Sequence, residues 1–175
     1  MRVIGGEFRS RRLQSIPGLD TRPTPDRLRE TLFDILGTRV EGAVFLDAYA
    51  GTGAVGIEAL SRGASRAIFI ERSKNATKVL RENLASLGIE DRADLVMAPV
   101  AGSLERWWGD IAFLDPPYER EKEYSSALAA FGKNAPALVI VQHSVRFTPA
   151  ESYGVLRQTR MVKQGDNALT FYSPG

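Results

Sequence analysis

The sequence predicts an α/β fold: a doubly wound, mostly parallel sheet with a small N-terminal extension and a C-terminal antiparallel strand. Three observations support this. Short continuous apolar runs recur at 43–46, 67–70, 111–114 and 137–141, the pattern of parallel strands buried on both faces. Helical patterns separate them, at about 54–62, 74–87 and 121–132. A glycine-rich loop joins the first run to its helix. The order strand–helix–strand along the chain reads as βαβ units.

Each element has its own warrant. Residues 1–23 form a basic arm that reads as irregular or β-like, with Gly5-Gly6 and Pro17-Gly18 as turn signals. A leading helix is expected over 24–37. Thr24 is placed to cap it, Pro25 suits its first position, and Asp26 complements the N-terminal dipole. Leu28, Leu32, Ile35 and Leu36 recur at helical spacing before Gly37 ends the element. The core follows over 43–175. In its second helix Val79, Leu80, Leu84 and Leu87 share one face. Leu95-Val96-Met97 is a weaker strand candidate. Near the C-terminus, 153–159 and 168–172 flank the turn signal Gly165-Asp166-Asn167 and are expected to close the sheet as an antiparallel pair. The whole, 1–175, reads as one domain, a length sufficient for one substantial core.

Composition removes several chemistries. There is no cysteine, so disulfides, thiolate metal sites and cysteine adducts to a pyrimidine are excluded. His143 is the only histidine, so a multi-histidine metal site is excluded and no metal is expected. It ends an apolar strand, where a hydrogen-bonded structural role is expected. No apolar run approaches the ~20 residues of a membrane span, and the first residues lack a secretory leader pattern. A soluble, cytoplasmic monomer with no membrane partner is expected.

Charge is uneven. Residues 1–29 carry seven arginines against three acids, a net +4 in a chain whose total is +2. A basic arm on a near-neutral body suggests a polyanionic partner. Guanidinium binds phosphate bidentately, which favours that partner over a merely solvated surface.

Gly51, Gly53 and Gly56 match G-x-G-x-x-G between the first strand and its helix. Such glycines permit a tight turn and close approach of a ligand to the backbone. Glu71 ends the second strand 20 residues after Gly51, where a carboxylate accepts ribose hydroxyls. A nucleoside cofactor is therefore expected. A dinucleotide is the obvious rival, but Asp47, immediately before the loop, would repel a pyrophosphate and attract an ammonium or sulfonium group. S-adenosylmethionine fits both acids. Tyr49 reads either as a pocket wall or as packing.

Asp115-Pro116-Pro117-Tyr118 follows the apolar run 111–114. A strand end of this kind is where open α/β sheets place ligands. The tetrapeptide combines a hydrogen-bond acceptor, a rigid turn and a flat stacking surface, which suits a planar ring bearing an amino group.

At these residues the chain resembles class I S-adenosylmethionine-dependent methyltransferases with the motif [D/N/S]-P-P-[Y/F/W]. More narrowly, it is similar to the bacterial RsmD-like family, which methylates the exocyclic amino group of a guanine in small-subunit (16S) ribosomal RNA. The supporting segments are Arg2-Val3-Ile4-Gly5-Gly6, Thr21-Arg22-Pro23-Thr24, Asp26-Arg27, Leu46-Asp47, Ala50-Gly51-Thr52-Gly53 and the run from Gly56 to Ala64. The resemblance implies a Rossmann-like fold and S-adenosylmethionine held by Asp47, Gly51, Gly53 and Glu71. Its adenine would lie at Met97-Ala98-Pro99-Val100-Ala101, so that Val100 joins the cofactor site through backbone groups. Asp115 and the Pro116 carbonyl would accept the amino hydrogens, Pro117 would stiffen the turn and Tyr118 would stack on the base. Arg2, Arg9, Arg11, Arg12 and Arg22 would grip ribosomal RNA or the small subunit. The motif also serves amino-methyltransferases acting on DNA adenine or protein glutamine, and the fold also serves non-catalytic RNA-binding modules. Those readings stay open at this level.

Overall fold

Alternation along the central strands sends side chains to two faces of one sheet, and each face is roofed by its own helices. The computed structural model describes residues 1–17 and 24–175. The parallel strands are β1 (Val44–Ala48), β2 (Arg66–Ile70), β3 (Ala93–Val96), β4 (Ile111–Leu114) and β5 (Leu138–Ser144). The helices are α1 (Asp26–Leu36), α2 (Ala54–Ser61), α3 (Lys74–Leu87) and α4 (Glu121–Lys133). Phe45, Phe69, Phe113 and Ile140 pack on one face with Leu32 and Phe33 of α1, Ile57 of α2 and Leu80 of α3. Leu46, Ile68, Leu114 and Val139 point the other way, onto Tyr124, Leu128 and Phe131 of α4. Each such side chain contributes about 1.5–3 kcal/mol on burial.

β6 (Ser152–Tyr153), β7 (Leu156–Gln164) and β8 (Asn167–Pro174) complete the order β3-β2-β1-β4-β5-β8-β7-β6. The C-terminal part is antiparallel, as expected; the pair expected at 153–159 and 168–172 is longer and shifted, forming β7 and β8, and the two-residue β6 adds a further strand. A register shift between Gln158 and Arg160 breaks the alternation of β7, and its outer residues are polar, so the usual period-two signal is weak there.

The strand order reverses at β1. Its neighbours are β2 on one side and β4 on the other, and the helices that follow β1 and β4 cover opposite faces. This opens a crevice beyond the carboxyl ends of β1 and β4, the general ligand position of doubly wound sheets.

The first 13 residues form a hairpin-like arm, closed by an antiparallel bridge between Arg2 and Arg12 and by the backbone bonds Val3 N–H to Arg11 O and Leu13 N–H to Met1 O, both 2.9 Å. The arm is docked on α2. The buried Glu58 carboxylate accepts the Ile4 and Gly5 N–H groups at 2.9 Å each, and Arg62 Nε at 2.8 Å. At Gly6, φ is +79° and an added Cβ would strike the Ser61 carbonyl. Arg29 is wholly buried and donates through Nη2 to Arg2 O and Asp26, both at 2.8 Å, so it adds nothing to the basic surface. The expected Thr24 cap is absent. Pro25 occupies the cap position of α1 with no side-chain bond, and the Thr24 hydroxyl bonds Gln142 instead. No described helix is long and apolar enough to cross a membrane.

Candidate active site

The loop after β1 is shaped by backbone conformation and tight packing. Gly51 and Gly53 have φ of +57° and +85°, and a Cβ on Gly53 would collide with Leu80. Gly56 serves a different purpose: a Cβ there would collide with the Phe69 ring, so its absence lets α2 lie close on β2. Gly51 donates its N–H to Glu71 Oε1 at 2.9 Å, and Ser73 N–H reaches Glu71 Oε2 at 2.8 Å. Both carboxylate oxygens are thus oriented, each with lone-pair capacity remaining.

Asp47 is almost fully buried at the end of β1 and accepts the Gly56 N–H through Oδ2 at 2.9 Å. Burial pushes its carboxyl well above the usual carboxylate range; the Gly56 bond opposes this, and the charges of Asp115 and Glu71 add to it. The adjoining Tyr49 has φ +63°, an uncommon conformation for a side-chain-bearing residue and one that concentrates at functional sites. Its hydroxyl bonds the Glu123 carboxylate of α4 and, chiefly through burial, is pushed up. Tyr49 both lines the cleft and packs against the α4-side core, so the two readings of it hold together.

Asp115 ends β4, next to β1. Its carboxyl faces the cleft but is surrounded mostly by protein, and desolvation pushes it up to about 7 against the opposing effect of the Thr24 hydroxyl. Pro116 is buried, and its carbonyl accepts the hydroxyl of the buried Tyr124 at 3.1 Å. One lone pair of that carbonyl remains for a further donor. Pro117 is exposed. The Tyr118 hydroxyl donates to Asn167 Oδ1 at 2.5 Å and accepts Gln142 Nε2 at 3.2 Å.

The fold gathers these residues. Asp47, Gly51, Glu71, Val100 and Asp115 through Tyr118 all line one cleft of about 940 Å³. Gly53 lies behind that lining and acts through loop shape. Of the expected arginines, Arg2, Arg9, Arg11 and Arg12 are exposed on the arm and none lines the cleft. Arg11 donates to Ser86 O at 2.8 Å. Arg22 lies outside the described residues. His143 is buried, with its ring nitrogens 2.7 Å from Thr170 Oγ1 and 2.8 Å from Ser144 O, a structural pairing. Trp107 packs against the α4 face of the core while Trp108 is exposed.

Sequence reading missed Thr24, Gln142 and Asn167 as cleft residues. One signal was present: Gln142 places an amide directly after the apolar run 137–141.

Asp47, Glu71 and Asp115, at three neighbouring strand ends, line this cleft together with Glu119 and Glu123, five acids against the two cations Arg72 and Lys122. That donor set suits a ligand carrying hydroxyls and positive charge, and it disfavours a pyrophosphate.

The family model described as "Conserved hypothetical protein 95" matches residues 1–173. The chain is 31% identical over 182 aligned residues to the "Putative rRNA methyltransferase YlbH" of Bacillus subtilis, covering 98% of each. It is 42% identical over 124 residues to the "Ribosomal RNA small subunit methyltransferase D" of Escherichia coli, covering 69% of this chain and 61% of that one. The solved structure titled "Putative methyltransferase yhhF", also from Escherichia coli, superposes with a TM-score of 0.87 at 34% identity, covering 99% of this chain and 97% of the other.

Proposed function

This chain belongs to the conserved hypothetical protein 95 family, the RsmD-like methyltransferases, and on that premise we propose that it transfers a methyl group from S-adenosylmethionine to the exocyclic amino group of a guanine in 16S ribosomal RNA. The observation that carries this reading is the convergence of Asp47 and Glu71 with Asp115 and Pro116 on one cleft, from adjacent strand ends. Asp47, Gly51 and Glu71 would hold the cofactor, with Gly53 shaping their loop and Val100 beside the adenine. When bound, that cofactor supplies an electrophilic methyl group on a sulfonium.

The chain's own contribution is positioning. An exocyclic amino nitrogen is a poor nucleophile because its lone pair is delocalised into the ring. The Asp115 carboxylate accepts one amino hydrogen and the free lone pair of the Pro116 carbonyl accepts the other. This draws the nitrogen toward tetrahedral geometry and directs its lone pair into the cleft. Pro117 limits the turn to one φ. The Tyr118 ring stacks on the base, a contact worth about 1–3 kcal/mol. Asp115, with its raised pKa, is suited to take the proton that the methylated nitrogen sheds. The base must be unpaired or flipped out to enter. Arg2, Arg9, Arg11, Arg12 and Arg22 would contact phosphates, which positions RNA without reading its sequence.

Transfer of labelled methyl from S-adenosylmethionine to 30S particles, free 16S RNA, DNA and protein tests this reading, followed by mapping of the modified nucleotide. Label on a guanine of 16S RNA is expected. Label on DNA adenine or protein glutamine would replace the substrate. No transfer, with no cofactor binding in calorimetry, would leave a non-catalytic RNA-binding protein.

A further inference from the structure

Four side chains from four separate segments form one hydrogen-bonded chain along the cleft wall, with Tyr118 of the base clamp among them. Thr24, just before α1, donates to Gln142 Oε1 of β5 at 2.9 Å. Gln142 Nε2 donates to the Tyr118 hydroxyl at 3.2 Å, and that hydroxyl donates to Asn167 Oδ1 of β8 at 2.5 Å. The Thr24 hydroxyl also bonds the Asp115 carboxyl. With one hydrogen and two lone pairs, that hydroxyl is within reach of both the Gln142 amide and the Asp115 carboxyl, and so ties the two together.

Thr24 and Gln142 are buried, at 6% and 3% exposure. A buried amide is costly unless both its ends are bonded, and an apolar side chain would continue the run Val139-Ile140-Val141 at no such cost. Both ends of Gln142 are engaged, one toward the residue that touches Asp115 and the other toward Tyr118. The hydroxyl of Thr24 and both ends of the Gln142 amide are thus committed toward the two side chains that would grip the base.

We infer that Thr24, Gln142 and Asn167 are positioning residues, a brace that fixes Asp115 and Tyr118 in mutual register for one unpaired base. This inference rests on the proposed function for its substrate. It assigns Thr24 to the site although its position before a helix suggests a cap. It also gives β8, which runs antiparallel to the rest of the central sheet, a direct part in holding the clamp.

The test compares Thr24→Val, Thr24→Ser and Gln142→Met with the unaltered chain on 30S particles. Thr24→Val and Gln142→Met should lower kcat by about 10–100-fold, as misplacement of about 1 Å does, with KM for RNA and affinity for S-adenosylmethionine within about threefold. Thr24→Ser should restore kcat. Unchanged kcat in Thr24→Val and Gln142→Met, or a Thr24→Ser variant as impaired as Thr24→Val, would overturn the brace. If the unaltered chain methylates another class of amino substrate, the proposed function fails and the same comparison is made on that substrate. If it methylates none, the Tyr118 ring resonances in NMR decide. A shift in Thr24→Val that Thr24→Ser reverses upholds the brace, and an unshifted spectrum overturns it.

Discussion

Gly51 donates its backbone N–H to the Glu71 carboxylate at 2.9 Å, so the glycine loop after β1 and the end of β2 are one hydrogen-bonded unit. Glu71 also accepts Ser73 N–H at the entrance to α3. Replacing Glu71 by Ala removes two charge-assisted bonds and the expected ribose acceptor together. A bond to a charged group is worth about 1.5–3 kcal/mol, so loss of the ribose acceptor should lower affinity for S-adenosylmethionine by at least about 10-fold in calorimetry, and loss of the two backbone bonds should lower Tm as well.

Gly53→Ala should harm folding first. It places a Cβ against Leu80 and demands φ near +85° from alanine. A cost of about 1–3 kcal/mol is expected from such overpacking, read as a Tm lowered by about 2–4 °C per kcal/mol for a domain of this size.

Much of this loop was legible in the chain itself. Its three glycines and the apolar runs beside them have fixed local spacing, and parallel strands buried on both faces need little else. Thr24 was not legible. It precedes Pro25 and Asp26 as a cap would, and its actual partner, Gln142, lies 118 residues away. Arg29 was misleading for a related reason: it counts toward the basic N-terminal stretch, yet it is buried with partners in the arm, α1 and α2. Tyr124 carried no signal either, since its bond to the Pro116 carbonyl depends on how α4 packs on the second face of the sheet.

The raised pKa of Asp115, about 7, sets a pH dependence. The clamp needs the ionised carboxylate, so kcat/KM should rise about 10-fold per unit below pH 7 and level off above it. Asn accepts a hydrogen bond without titrating, so Asp115→Asn should flatten this limb while keeping some transfer. The stability sign is opposite. Asp115 binds its proton more tightly folded than unfolded, so its contribution is fully present below the ordinary value of 3.8 and is lost as pH rises to about 7. Asp115→Asn should therefore gain Tm relative to the unaltered chain between pH 4 and 7, and hold that gain at pH 8.

The exposed arm makes a separable prediction. Changing Arg9, Arg11 and Arg12 together to Ala should weaken RNA binding and reduce the slope of log affinity against log salt by about 0.7–0.9 per lost phosphate contact. Affinity for S-adenosylmethionine should not move, because none of these residues lines the cleft. An unchanged salt slope would remove the arm from the RNA interface.

The central claim is that Asp115 positions an amino group for methyl transfer and is not needed to hold the cofactor. Asp115→Ala tests it most directly, by measuring S-adenosylmethionine affinity and methyl transfer to 30S particles on the same preparation. The expected result is affinity within about fivefold of the unaltered chain and transfer reduced at least about 100-fold, the scale set by lost positioning. Full transfer activity in Asp115→Ala would contradict the mechanism.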